Sequence, residues 1–189
     1  EKERKSVMRV ITGSARGRKL GELQGKDTRP TTDKVKEALF SIIQFDIEGR
    51  KVLDLFAGTG QLGIEALSRG AAEAVFVDLR KEAAALVRDN LKRTGLDGCA
   101  QVVQGDYLAY LTRCGRRFDL IFLDPPYHTG LLEKALKTVA AIDILSENGI
   151  MVCESASEEL LPELTPPYKK GREYRYGKIK LTVYHRTVE

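Results

Sequence analysis

VLDLFAGTG, residues 52–60, is the stretch from which the rest of the chain can be read. A short apolar strand runs into Ala57-Gly58-Thr59-Gly60, and a helical pattern begins at Gln61. Gly58 and Gly60 permit a tight backbone path, and the N–H groups exposed there can meet polar groups of a ligand. A strand, a glycine turn and a helix in that order form the ligand-binding opening of a nucleotide-type α/β domain.

The same alternation continues outward. Strand-like runs fall at 51–55, 74–78, 100–104 and 119–123, with helical patterns near 61–69, 80–94 and 130–145. A further strand is expected at 149–154 and a β-rich one at 178–185. Between them, 155–177 holds a short helix candidate and then Pro166-Pro167. This repetition favours a mainly parallel sheet covered by helices on both faces. Upstream, MRVITGSARGRKL (8–20) reads as two short strands around a glycine turn. Val35, Ala38, Leu39, Ile42 and Ile43 then take helical spacing, with Thr31, Thr32 or Asp33 available as a cap and Pro30 blocking extension upstream.

At 189 residues the chain can bury a full core but would crowd two large domains. No apolar run approaches membrane-spanning length, and EKERKSV lacks the apolar core of a signal peptide, so a cytoplasmic protein is expected. Cys99, Cys114 and Cys153 are far apart and odd in number, which favours free thiols, and Cys153 in GIMVCES suits a core strand. Two isolated histidines give no case for zinc. The net charge of +4 conceals an asymmetry: residues 1–36 carry eleven basic and five acidic side chains, the remainder 20 and 22. A basic front end on a near-neutral body suits a phosphate-rich partner, although a solvated arm would have the same composition.

Asp78 ends the next apolar strand, 18 residues beyond Gly60, where an acid commonly reads a ribose diol. Gly58, Gly60 and Gly63 have dinucleotide-type spacing, so the glycines alone leave a nicotinamide cofactor open. No obvious acid/base pair for hydride transfer follows, and the Lys-Ser/Thr of a phosphate-binding loop is absent. Asp54 precedes the loop and could organise it or accept from an ammonium. Asp106, after VVQG, could face an adenine edge.

DLIFLDPPY (119–127) supplies the reactive chemistry. An exocyclic base amine is a poor nucleophile because its lone pair is delocalised into the ring. Asp124 can accept one of its N–H bonds, and a carbonyl held before a proline can accept the other. Pro125 and Pro126 stiffen the turn, and Tyr127 offers a ring on which an extruded base can stack. Each residue also has a plainer explanation as cap, turn or core. With the cofactor-type loop upstream, amine methylation is the stronger reading, with neither metal nor covalent nucleophile required.

These segments resemble bacterial 16S ribosomal RNA guanine-N2 methyltransferases of the RsmD type. The resemblance is carried by residues 8–20, DTRPTTDKVKEALF at 27–40, VLDLFAGTGQLGIEALSRGA at 52–71 and FDLIFLDPPY at 118–127, and covers nearly all of the chain after Val7. It implies a Rossmann-like class I methyltransferase fold, α/β, with a seven-stranded, mostly parallel sheet whose last strand is antiparallel. A small N-terminal β-hairpin extension (1–30) would precede the catalytic domain (31–189). The implied cofactor is S-adenosyl-L-methionine, with Asp54, Phe56, Ala57, Gly58 and Gly60 as its first binding motif. Asp78 and Leu79 would serve the ribose side, and Asp106 and Tyr107 the adenine side. Asp124, Pro125, Pro126 and Tyr127 match the amino-methylation motif. The implied substrate is a guanine N2 of the position-966 type in 16S rRNA, on an assembling 30S subunit; with no membrane and no obligatory protein partner evident, a monomer is expected. Arg9, Arg16, Arg18, Lys19 and Arg29 are candidates for phosphate contacts, and Arg29 could instead brace the cofactor pocket. An adenine-N6 methyltransferase and a non-catalytic RNA-binding assembly factor are the alternatives.

Overall fold

The computed structural model describes residues 7–25 and 32–188. Among the described residues, seven strands and five α-helices alternate as far as α5, and three consecutive strands complete the chain. The strands are β1 (Lys51–Asp54), β2 (Glu73–Asp78), β3 (Ala100–Gln104), β4 (Phe118–Leu123), β5 (Leu145–Ala156), β6 (Tyr168–Tyr176) and β7 (Ile179–Arg186). The helices are α1 (Asp33–Ile42), α2 (Gln61–Ser68), α3 (Lys81–Thr94), α4 (Tyr107–Arg113) and α5 (Leu131–Ile142). All seven strands form one sheet in the order β3-β2-β1-β4-β5-β7-β6. The first five are mutually parallel, and β7 runs antiparallel to both β5 and β6. This is the class I methyltransferase topology that the resemblance implied.

The pleat divides each strand between two cores. Val52, Phe76, Leu120, Phe122 and Val152 face α1, α2 and α3. Leu53, Val75, Val77, Ile121, Leu123 and Cys153 face α4 and α5. Phe40 of α1 meets Phe122 with ring centroids 5.8 Å apart, and neither side chain is exposed. Truncating a buried phenylalanine of this kind costs about 3–5 kcal/mol. Burial also pushes the Cys153 thiol well above its ordinary pKa, as suits a core residue.

Several expectations need correction. The strand expected at 149–154 runs from Leu145 to Ala156, and α5 correspondingly stops at Ile142, where Asp143 turns the chain with φ 60°. The short helix expected within 155–177 is absent; β6 fills the second half of that segment instead. Its alternation is hard to see because the outer face of an edge strand carries charges, as in YKKGREYRY. Helix α4 was not foreseen, since seven residues give too little periodicity to detect. The N-terminal hairpin is reduced to one antiparallel bridge, Arg9 with Lys19, closed by the Gly17 N–H donating to the Val10 carbonyl at 2.8 Å. Thr32 caps α1, its hydroxyl accepting from Val35 N at 3.3 Å; the alternative at Thr31, like Pro30 and Arg29, falls outside the described residues.

Candidate active site

The strand order reverses between β1 and β4, and the C-terminal ends of the strands there open the crevice in which α/β folds hold ligands. Asp54, Asp78 and Asp124 sit at the ends of β1, β2 and β4 along this rim. The glycine loop between β1 and α2 is tied to both neighbours. Leu55 N donates to the Phe122 carbonyl at 3.2 Å, and Ala57 N to the Val77 carbonyl at 2.9 Å. Gly60 takes φ 80° as the residue before α2, a left-handed conformation that disfavours side chains. Gly63 has a different reason: a Cβ there would lie 2.3 Å from the Phe76 ring, so α2 reaches the sheet only without one.

Asp54, Asp78 and Asp106, the acids that the sequence offers for a cofactor, hold distinct environments. Asp54 is 2% exposed and accepts from Gly63 N at 3.1 Å. Burial raises its pKa to about 7; the Gly63 N–H opposes the rise and the Asp78 charge adds to it. Asp78 bridges the loop and the chain beyond β2, accepting from Gly58 N at 2.9 Å and from Arg80 N at 2.9 Å. Asp106 caps α4 by accepting from Ala109 N at 3.0 Å. The first residue of that helix, Tyr107, meets Phe56 with ring centroids 5.1 Å apart. Leu79 is 67% exposed beside Asp78. A Cβ added at Gly58 would meet no atom within 4 Å, so the loop is open on that side. Phe56, Ala57, Gly58, Gly60, Asp78, Leu79, Asp106 and Tyr107 are thus gathered along one edge of β1–β3.

Asp124 to Tyr127 form the neighbouring turn, after β4. The Tyr127 hydroxyl donates to Glu154 Oε1 at 2.7 Å. Glu154 is 4% exposed, near the end of β5, and was not among the sequence-derived candidates. Its signal was present, since GIMVCES closes an apolar strand with an acid just as VLD, VFVD and IFLD do. Glu159 braces the same turn, accepting from His128 N at 2.9 Å and from Ala156 N at 2.8 Å. Pro125, Pro126, Tyr127, Glu154 and Glu159 line an open cleft.

The basic segment docks beside this rim through buried side chains that sequence reasoning also missed. Glu65 of α2, fully buried, accepts from Ile11 N at 3.0 Å and Thr12 N at 3.3 Å, and pairs with Arg69 at 3.1 Å. Ser68 Oγ accepts from Ala15 N and donates to the Thr12 carbonyl. Lys36 of α1, 1% exposed, donates to the Arg9 carbonyl at 3.0 Å; burial lowers its pKa while Glu65 opposes the shift. Asn90 of α3 accepts from Gly21 N at 2.7 Å and donates to the carbonyls of Gly21 and Thr59. An asparagine on the apolar stripe Ala83–Val87–Leu91 was the available clue. Arg16, Arg18 and Lys19 remain exposed, whereas Arg9 lies 3.8 Å from Asp33.

A family profile described as Conserved hypothetical protein 95 matches residues 8–185. Ribosomal RNA small subunit methyltransferase D of Escherichia coli (strain K12) is 34% identical over 182 residues, spanning 96% of this chain and 91% of its own. The chain belongs to this RsmD family. YlbH of Bacillus subtilis (strain 168), named as a candidate rRNA methyltransferase, is 43% identical over 180 residues, covering 94% of this chain and 98% of its own. Among solved structures, yhhF from Escherichia coli, titled a candidate methyltransferase, superposes with a TM-score of 0.86 at 33% identity, covering 97% and 100% of the two chains. An RNA methyltransferase from Salinibacter ruber, in complex with S-adenosyl-L-homocysteine, shares the fold at 16% identity (TM-score 0.66; 85% and 95% of the chains). RsmD membership thus spans the docked N-terminal segment as well as the sheet.

Proposed function

We propose that this protein transfers a methyl group from S-adenosyl-L-methionine to the exocyclic N2 amine of a guanine in 16S ribosomal RNA, during small-subunit assembly in the cytoplasm. The observation that carries the reading is the shared rim: the glycine loop after β1 lies between Asp78, which it contacts at the end of β2, and the Asp124–Tyr127 turn after the neighbouring β4. RsmD relatives named for the small-subunit RNA support the substrate class.

The residues fit the cofactor chemically. Bound there, S-adenosyl-L-methionine supplies an electrophilic methyl group. Asp54, a buried carboxyl poised near neutrality, gains a reason to ionise when an ammonium approaches. Asp78 offers carboxylate oxygens to a ribose diol, while Leu79, Phe56 and Tyr107 supply apolar surface around the adenine near Asp106. Asp124 accepts one N–H of the target amine, and the carbonyl at the Asp124–Pro125 peptide accepts the other. That pair fixes the nitrogen and stabilises positive charge developing on it during attack. Tyr127, its hydroxyl fixed on Glu154, presents a ring for stacking.

The basic segment, residues 1–30 in the proposed division, brings phosphates to this rim through Arg9, Arg16, Arg18, Lys19 and Arg29. The test is to incubate the protein and labelled cofactor with small subunits from a strain lacking its gene, then map the product by mass spectrometry. N2-methylguanosine in 16S rRNA is the expected product. Label on adenine N6 would replace this reading with the alternative amino-methyltransferase, and absence of label would favour a binding factor.

A further inference from the structure

Resting on that reading, we propose that Glu154 selects guanine by accepting its N1–H while Asp124 accepts from the neighbouring N2 amine. In the β4–β5 pairing, Leu123 lies opposite Cys153, so Asp124 and Glu154 are the next positions on adjacent parallel strands. Adjacent strands run about 4.8 Å apart, which brings two such carboxylates to one planar ring. The Tyr127 hydroxyl anchors the Glu154 carboxylate beside the ring on which the base would stack. Glu154 is 4% exposed yet lines the cleft with Pro125 and Pro126, so its carboxylate is buried at the reactive turn.

Guanine presents adjacent donors at N1 and N2 along its Watson–Crick edge. Adenine presents a donor at N6 beside an acceptor at N1. An ionised carboxylate only accepts, and each has about four acceptor sites. Facing guanine N1–H it forms a charge-assisted hydrogen bond; facing adenine N1 it opposes a lone pair. The acid pair therefore discriminates through its charge rather than through the shape of the cleft.

The test compares methyl transfer to RNA carrying guanine or 2-aminopurine at the target position. 2-Aminopurine keeps the N2 amine and lacks the N1–H. The wild-type protein should favour guanine by at least about tenfold in kcat/KM, the scale of one charged hydrogen bond. Glu154→Gln should lose most of that preference, because its amide can donate to the bare N1 of 2-aminopurine. Tyr127→Phe removes the same anchoring hydrogen bond without altering the carboxylate, and should lower both rates while keeping the preference for guanine. Equal losses on both bases in Glu154→Gln, or an equal change of preference in Tyr127→Phe, would overturn the assignment to Glu154. A wild-type protein that leaves guanine N2 unmodified would instead overturn the proposed function itself.

Discussion

The rim of the sheet and the N-terminal segment lie side by side, joined through Asn90, yet different forces position them. At the rim, strand ends carry the acids, and the ladders β2-β1-β4-β5 set their spacing. Asp54 and Asp78 add hydrogen bonds to Gly63 and Gly58 that fasten the loop onto the same framework. Among its described residues, the N-terminal segment's own backbone pairing amounts to the Arg9–Lys19 bridge with its flanking and turn bonds. Its shape is imposed by Glu65, Ser68 and Asn90, which satisfy its backbone polar groups from the helices beneath. A region held by strand ladders distributes its stability, whereas one held by a few buried side chains concentrates it. Single substitutions should therefore separate the two.

The largest effect should come from Asp124→Ala, which removes the proposed acceptor and leaves the glycine loop's own residues in place. Methyl transfer at saturating cofactor should fall by about 10²–10³, the cost of losing one preorganised transition-state hydrogen bond. Cofactor affinity by calorimetry should stay near wild type. Normal single-turnover rates from the folded variant would remove Asp124 from the chemistry.

Next, Glu65→Ala strips the acceptor from Ile11 and Thr12 and leaves Arg69 and Lys36 without their buried counter-charge. Loss of one partner from such a buried cluster costs about 3 kcal/mol. Urea unfolding should report that loss, and limited proteolysis should report early cleavage within residues 8–21. A variant equally stable and equally protected would contradict the clamp.

Replacing Arg16, Arg18 and Lys19 together by Ala touches the exposed charges and spares the buried anchors. If all three meet phosphates, the slope of log affinity for rRNA against log salt should flatten by about 2, at roughly 0.7 per contact for single strands. Stability should be unchanged. Superimposable salt curves would mean that these charges only solvate the surface.

The smallest effect concerns pH. Asp54 has a folded pKa of about 7, above that of an exposed carboxyl, so the folded apo-protein holds a proton there that the unfolded chain releases. This contribution to stability is complete below the unfolded pKa of about 4 and is lost as pH rises through about 7. In the proposed site the cofactor's ammonium would draw Asp54 toward its ionised form, so affinity should tighten a few-fold between pH 6 and 8, with proton release seen by calorimetry in two buffers. Asp54→Asn should flatten both profiles.

Most of the strand–helix alternation, and the positions of Asp54, Asp78 and Asp124 at the rim, were legible because the apolar runs before those three acids each stop at a carboxylate. VLD, VFVD and IFLD put a charged residue where hydrophobic burial stops, and a two-residue pleat makes that end unambiguous. The same signal marks Glu154 in VCES, but nothing local shows that a tyrosine 27 residues earlier donates to it. The edge strand β6 was hidden for the opposite reason: its outward face carries charges that erase the apolar alternation.

Sequence alone determined the alternating α/β class, the glycine loop and the DPPY turn, since these depend on residue types within a few positions of one another. Only the tertiary structure decided which distant groups meet. Glu65 lies 54 positions from Ile11, Asn90 lies 69 from Gly21, and both are drawn into contact by the packing of α2 and α3 on the sheet. A buried polar side chain must find its partner wherever the fold brings one, and periodicity along the chain carries no record of that choice.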